Sequence, residues 1–290
     1  MKYIPFIFLR TIIILSFILP SCDIINPPED IPAYITVDTL KLNTNINTQG
    51  SAQHGFSDCW LYVDNKLIGT FEVPFTVPVL HQGNCEITIQ AGIKNNGSQS
   101  TRVVYPFVKN YTIEKLLEPN GDIIIEPEFE YHDMNFALIE DFEDLGISFE
   151  ISEESDTTIQ LISDTNAQEG TSMAFFLNDQ NSAFECKSSE LYVLPQSSRI
   201  FAEISFKSNQ DFQFGLFARK YSGGSIYEER LPIITLFKTE EWKTIYVELT
   251  GAVVNSINTY DFRLFFTCMH PENATSETAV YIDNFKLIHY

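Results

Sequence analysis

The stretch Arg199-Ile200-Phe201-Ala202-Glu203-Ile204-Ser205-Phe206-Lys207 decides the fold of this chain. Ile200, Ala202, Ile204 and Phe206 fall on one side, and Phe201, Glu203, Ser205 and Lys207 on the other. That is the period of two of a β-strand with one buried face. The pattern continues outward. Phe212 to Tyr221 sets Phe212, Phe214, Leu216 and Ala218 against Gln213, Gly215, Phe217, Arg219 and Tyr221. Asp261 to Thr267 sets Phe262, Leu264 and Phe266 against Arg263 and Phe265. One apolar and one mixed face per strand is what two sheets packed face to face require. Helical period is nowhere sustained, so the fold class is all-β.

Upstream the chain also reads as short strands separated by turns. Cys85, Ile87 and Ile89 alternate with Glu86, Thr88 and Gln90, and Asp64-Asn65-Lys66 reverses Cys59–Val63 into Leu67–Phe71. Asp-Asn tolerates the left-handed conformations that tight hairpins need. A further hairpin is expected between Tyr111–Leu117 and Ile123–Tyr131 around Pro119-Asn120-Gly121-Asp122, giving about seven strands and a small sandwich. The run Tyr62-Val63-Asp64-Asn65-Lys66-Leu67-Ile68-Gly69, followed by Pro74 and the Gly83 turn, resembles PEGA-type domains. These are immunoglobulin-like sandwiches of bacterial envelope proteins. Asn65 stands where that family has Gly, and its Pro-Glu-Gly-Ala tetrad is absent. The resemblance implies a spacer or interaction domain. Trp60 and Tyr62 are either packed or a contact surface.

The start of the chain has secretory anatomy. Lys2 and Arg10 precede an apolar run, Thr11 to Leu19, and Ser21 precedes Cys22. Leu19-Pro20-Ser21-Cys22 resembles the lipobox of bacterial lipoproteins, which implies cleavage before Cys22 and acylation of its thiol. Several acyl chains anchor stably where one does so only marginally. The expected organisation is a signal peptide over 1–21, a tether over 22–31, a PEGA-like sandwich over 32–133 and a second sandwich over 137–290. The expected location is the cell envelope, lipid-anchored, at the outer membrane or cell surface.

In the second half, Ile139-Glu140-Asp141-Phe142-Glu143, then Gly170 to Leu177, Glu241 to Leu249 and the terminal Val280-Tyr281-Ile282-Asp283-Asn284-Phe285-Lys286-Leu287 form a series. It resembles the galactose-binding-like jelly rolls that include many carbohydrate-binding modules. The resemblance implies a structural calcium ion where the first strand meets the last, with Asp141, Glu143 and Asp283 as its ligands, since hard cations take carboxylate oxygens. It also implies aromatic rings and hydrogen-bonding groups on one sheet face. Phe217, Arg219, Tyr221, Arg263 and Phe265 are the candidates by strand parity, with Tyr227 overhanging them from beyond the Ser222-Gly223-Gly224-Ser225 turn. Trp242 is expected in the core.

Formal charge is -21, and removing residues 1–21, which hold Lys2 and Arg10 and no acid, takes it to -23. Such an excess repels phosphate backbones and argues against nucleic acid as a partner. No Lys or Arg stands between Lys115 and Lys187. Besides Cys22 there are four cysteines, and an exported protein is free to pair them as Cys59–Cys85 and Cys186–Cys268. The alternative is four buried thiols acting as small apolar groups. Five scattered histidines, no Gly-x-Ser-x-Gly elbow and no phosphate-binding glycine loop point away from an enzyme. The expected function is non-catalytic binding of carbohydrate. The alternative is a structural component of an envelope protein complex.

Overall fold

The structure, a computed structural model, describes residues 29–144, 146–272 and 274–290. Cys22, the signal peptide and most of the tether lie outside the described residues. The first half forms β1 (Ala33–Val37), β2 (Lys41–Asn43), β3 (Asp58–Val63), β4 (Lys66–Glu72), β5 (Phe75–Val79), β6 (Gly83–Lys94), β7 (Arg102–Val104), β8 (Tyr111–Leu117), β9 (Asp122–Ile124) and β10 (Glu128–Glu130). One sheet runs β4-β3-β6-β7 with β8 also on β6, another runs β5-β1-β9, and β2 pairs β10. The Asp64-Asn65 reversal is present, both residues at positive φ (48° and 61°), and joins β3 to β4.

The hairpin expected around Asn120-Gly121 does not form. Gly121 N–H donates to the Glu118 carbonyl at 2.8 Å, Asn120 turns at φ 58°, and the chain crosses to the other sheet. There β9 runs parallel to β1, while β8 pairs β6. The turn residues mark the reversal but not the receiving sheet. Burial of Ile125 and Phe129 in the core between the sheets settles that.

The second half forms β11 (Asn135–Glu140), β12 (Phe149–Ile151), β13 (Gln160–Ile162), β14 (Ser172–Leu177), β15 (Ala183–Ser188), β16 (Ile200–Ser208), β17 (Phe212–Ser222), β18 (Ser225–Leu236), β19 (Thr239–Glu248), β20 (Thr259–Met269) and β21 (Thr278–His289). One sheet is β13-β14-β21-β16-β19 with β11 on β21, and the opposing sheet is β12-β15-β20-β17-β18. The apolar sets read from the sequence face each other: Ile200, Ala202, Ile204 and Phe206 share a core with Phe212, Phe214, Leu216, Phe262, Leu264 and Phe266. The chain is nearly all β, with only short helices at α1 (Ile46–Gln49) and α2 (Thr250–Asn255) among the described residues. None of these is long and apolar enough to cross a membrane.

The two sandwiches share a core. Phe201, Tyr246 and Ile288, on the outer face of the β16-β19-β21 sheet, pack with Phe56, Tyr105, Phe107 and Phe129 of the first sandwich. Gly55 fits against this face because it lacks a side chain: a Cβ there would collide with the Thr244 carbonyl oxygen. Within the contact lie Glu203 and Lys286, both 1% exposed, their charged atoms 3.8 Å apart. The Tyr105 hydroxyl donates to Glu203 at 2.5 Å, and the Tyr131 hydroxyl lies 2.9 Å from both carboxylate oxygens. Lys286 Nζ donates to the Ser51 carbonyl at 2.7 Å and to Tyr131 at 3.2 Å. Buried charges persist only when paired and hydrogen-bonded in this way.

All four described cysteines are free and buried. Cys59 sits opposite Ala91 on β6, six residues from Cys85, so the first expected bridge is spread along a strand. Cys186 pairs with Phe266 and Cys268 with Phe184, which makes the second pair diagonal neighbours. Diagonal neighbours stand about 7–8 Å apart, beyond the roughly 5.5–6 Å that a disulfide spans. Burial pushes the Cys59 and Cys268 thiols up to about 12.

Candidate binding face

The first sandwich covers the outer face of the β16-β19-β21 sheet, so the outer face of β12-β15-β20-β17-β18 is the broad face of the second sandwich left open. Strand register sets its rows. Phe217 lies between Arg263 on β20 and Arg230 on β18; Gly215 lies between Phe265 and Pro232; Arg219 lies between Asp261 and Glu228. Gln213 lies between Thr267 and Thr235, and Lys187 pairs Phe265 from β15. Phe217, Arg219, Tyr221, Arg263 and Phe265 therefore share one face, as their parity predicts. Tyr227 does not. It pairs with Lys220, whose parity is opposite to that of Phe217, so it stands on the other side of the hairpin.

The two phenylalanines are not an open platform. Their ring centroids are 4.8 Å apart, and they are only 7% (Phe217) and 0% (Phe265) exposed. Phe265 lies down on Gly215, where a Cβ would collide with the ring. The Arg230 guanidinium sits 4.3 Å from the Phe265 centroid, and Lys187 Nζ sits 4.8 Å from that of Phe217. Cations seated on ring faces in this way are held by the ring quadrupole. Each is also paired with an acid: Arg230 with Glu185, and Lys187 with Glu228 at 3.7 Å. Tyr221 is the open ring among the expected residues of this face, at 52% exposure.

Beside this cap lies a groove of about 450 Å³, lined by Gln213, Arg230, Thr235, Thr267 and Met269, with Gln210 and Asp211 at its end. Arg230, Glu185 and Gln213 were not among the residues expected from the sequence. The signal was there in part: once β18 is read with alternating parity, Glu228 and Arg230 fall on the side facing Arg219 and Phe217. From the Gly223-Gly224 turn to Gly215–Pro232 the pairing is regular, and the bulge between Phe214 and Gly215 shifts only Ile234 to Leu236, which brings Thr235 opposite Gln213.

The three carboxylates expected to hold calcium each accept hydrogen bonds from the protein. Asp141 accepts from the Glu143 amide at 3.3 Å, and Glu143 accepts from the Thr171 amide at 2.6 Å while lying against Gly170. Asp283 accepts from the Ser172 hydroxyl at 2.7 Å and from the Asn284 amide at 2.7 Å. Among the described residues no three His, Cys, Asp or Glu side chains gather as an ion requires. Burial pushes the Asp283 carboxyl up to about 7. Trp242, expected in the core, is only half-buried, and its indole N–H donates to the Asn166 carbonyl at 3.1 Å.

No family model matches the chain, and no curated protein matches it. Solved structures similar to it include the family 11 carbohydrate-binding module of a cellulosomal cellulase of Clostridium thermocellum, at 15% identity and a TM-score of 0.38 over 54% of this chain and 95% of that one. The xylan-binding domain from CBM 22 matches at 13% and 0.37 over 54% and 96%. A carbohydrate-binding module of the β-sandwich superfamily described for promiscuous specificity matches at 12% and 0.39 over 90% and 99%.

Proposed function

We propose that this chain is a non-catalytic, lipid-anchored envelope protein whose second sandwich binds carbohydrate on the open face of the β12-β15-β20-β17-β18 sheet. The observation that carries this reading is the asymmetry of the jelly roll. One outer face is buried against the first sandwich, and the other presents a groove floored by an amide and two hydroxyls beside a row of rings and guanidinium groups. Gln213, Thr235 and Thr267 are suited to sugar hydroxyls, and Tyr221 offers an exposed ring for a pyranose face. Acylation of Cys22 supplies the anchor in this reading, and the first sandwich is the spacer.

Retention of the purified protein on immobilised polysaccharides tests it. Binding to at least one polysaccharide, reduced by Tyr221→Ala and by Gln213→Ala with circular dichroism unchanged, is the expected result. Absence of retention on a broad glycan set, together with stoichiometric co-purification of an envelope protein, would replace carbohydrate binding with the assembly reading.

A further inference from the structure

The charge pattern of the open face narrows the ligand class, and this step rests on the carbohydrate reading above. Among the described residues, the outer face of the five strands carries four cations, and each has a carboxylate partner. Arg230 pairs with Glu185, Lys187 with Glu228 at 3.7 Å, Arg219 with Asp261 at 2.7 Å and Arg263 with Glu150 at 2.6 Å. Two of the four are engaged a second time, Arg230 over Phe265 and Lys187 over Phe217. The four pairs cancel one another's charge, on a protein whose formal charge is -21.

We infer that the ligand of this face is an uncharged glycan, and that the internal ion pairs exclude uronate-bearing and sulfated ones. A carboxylate or sulfate approaching Arg230 meets a guanidinium already neutralised by Glu185 and fixed over a ring. To bind, it must displace that carboxylate, and the acidic surround adds a repulsion that extends over about a Debye length. Hydroxyls meet no such obstacle at Gln213, Thr235 and Thr267, which carry no charge and line the groove beside Arg230. The attraction is then made of hydrogen bonds and ring contact, which salt does not screen as it screens ion pairs.

The test uses the full chain on four immobilised matrices, barley β-glucan, galactomannan, polygalacturonate and dextran sulfate, at about 50 and about 500 mM sodium chloride, a range that shortens the Debye length roughly threefold. Retention on a neutral matrix that changes less than about twofold between the two salts, with none on the anionic ones, is expected. Glu185→Gln leaves Arg230 without its counter-charge and should gain retention on polygalacturonate at the lower salt that disappears at the higher. Such a salt-sensitive gain is not produced by a merely structural role for Glu185. Salt-sensitive retention of the unmodified protein on polygalacturonate or dextran sulfate would overturn the inference while leaving carbohydrate binding intact. Absence of any gain with Glu185→Gln in a folded protein would overturn the role given to the ion pair. Retention on none of the four by either protein would overturn the inference and count against carbohydrate binding itself.

Discussion

Replacing Lys286 by Met tests whether the two sandwiches are held together by the buried cluster between them. Lys286 and Glu203 are both 1% exposed, and the lysine also serves the Ser51 carbonyl and Tyr131. Removing one partner of a buried pair costs about 3–5 kcal/mol because a charge is left behind. Here Glu203 keeps the hydroxyls of Tyr105 and Tyr131, so the cost should fall at the low end, about 3 kcal/mol. For a chain of this size that corresponds to roughly 6–12 °C in Tm. Glu203→Gln alone leaves a buried lysine whose pKa burial already lowers, and the double variant Lys286→Met with Glu203→Gln removes both charges. The double variant should therefore be more stable than the sum of the single losses implies, by about 1–3 kcal/mol of coupling. Urea unfolding followed by tryptophan fluorescence measures it, since Trp60 lies in the first sandwich and Trp242 in the second. A loss below about 1 kcal/mol for Lys286→Met, or additive single variants, would refute the assignment of this cluster as the link.

Asp283 gives a pH signature. Its folded pKa of about 7 lies above the usual value of 3.8, so the folded state binds the extra proton. This group's contribution to stability is fully present below the unfolded value and is lost as pH rises through the folded one. Asp283→Asn should flatten that dependence, shrinking the stability difference between about pH 5 and about pH 8 by about 3 kcal/mol in paired denaturation curves. Gly170 turns at φ +42°, and a Cβ there would collide with the Glu143 carboxylate. Gly170→Ala should therefore lose about 1–3 kcal/mol in thermal unfolding. Iodoacetamide should leave Cys59, Cys85, Cys186 and Cys268 unmodified in the native protein and label all four in urea, with no change on adding reductant. Mass spectrometry of the protein isolated from membranes should find Cys22 as the first residue, carrying acyl chains.

The sandwich folds were legible where apolar alternation is long, as along Ile200–Phe206 and Phe212–Ala218, because period-two patterning fixes which side is buried. What alternation cannot supply is the identity of the covering surface. Phe201 and Glu203 sit on the side read as mixed, yet both are buried, because the first sandwich and not solvent lies over them. The same gap hid the closure of Phe217 and Phe265. Their shared face was readable from parity, and Arg230 reaches it across the local β17–β18 hairpin, but Lys187 comes from β15, far away in sequence, by pairing that no local pattern records. Tyr227 failed for a smaller reason: across a two-residue turn, each step of register reverses the side.

The strand β6 has a mechanical consequence. It begins at Gly83, beside Leu80 and His81, which share a pocket with Ile31 where the chain enters, and it ends at Lys94, two residues before Asn96 bonds the Tyr246 carbonyl. Its 12 residues cover roughly 36 Å at about 3.3 Å per step. Tension between the incoming chain and the second sandwich would follow the direction of this strand but enter through β1, which continues from Ile31, so the bonds of β1 to β5 and β9 would be loaded first.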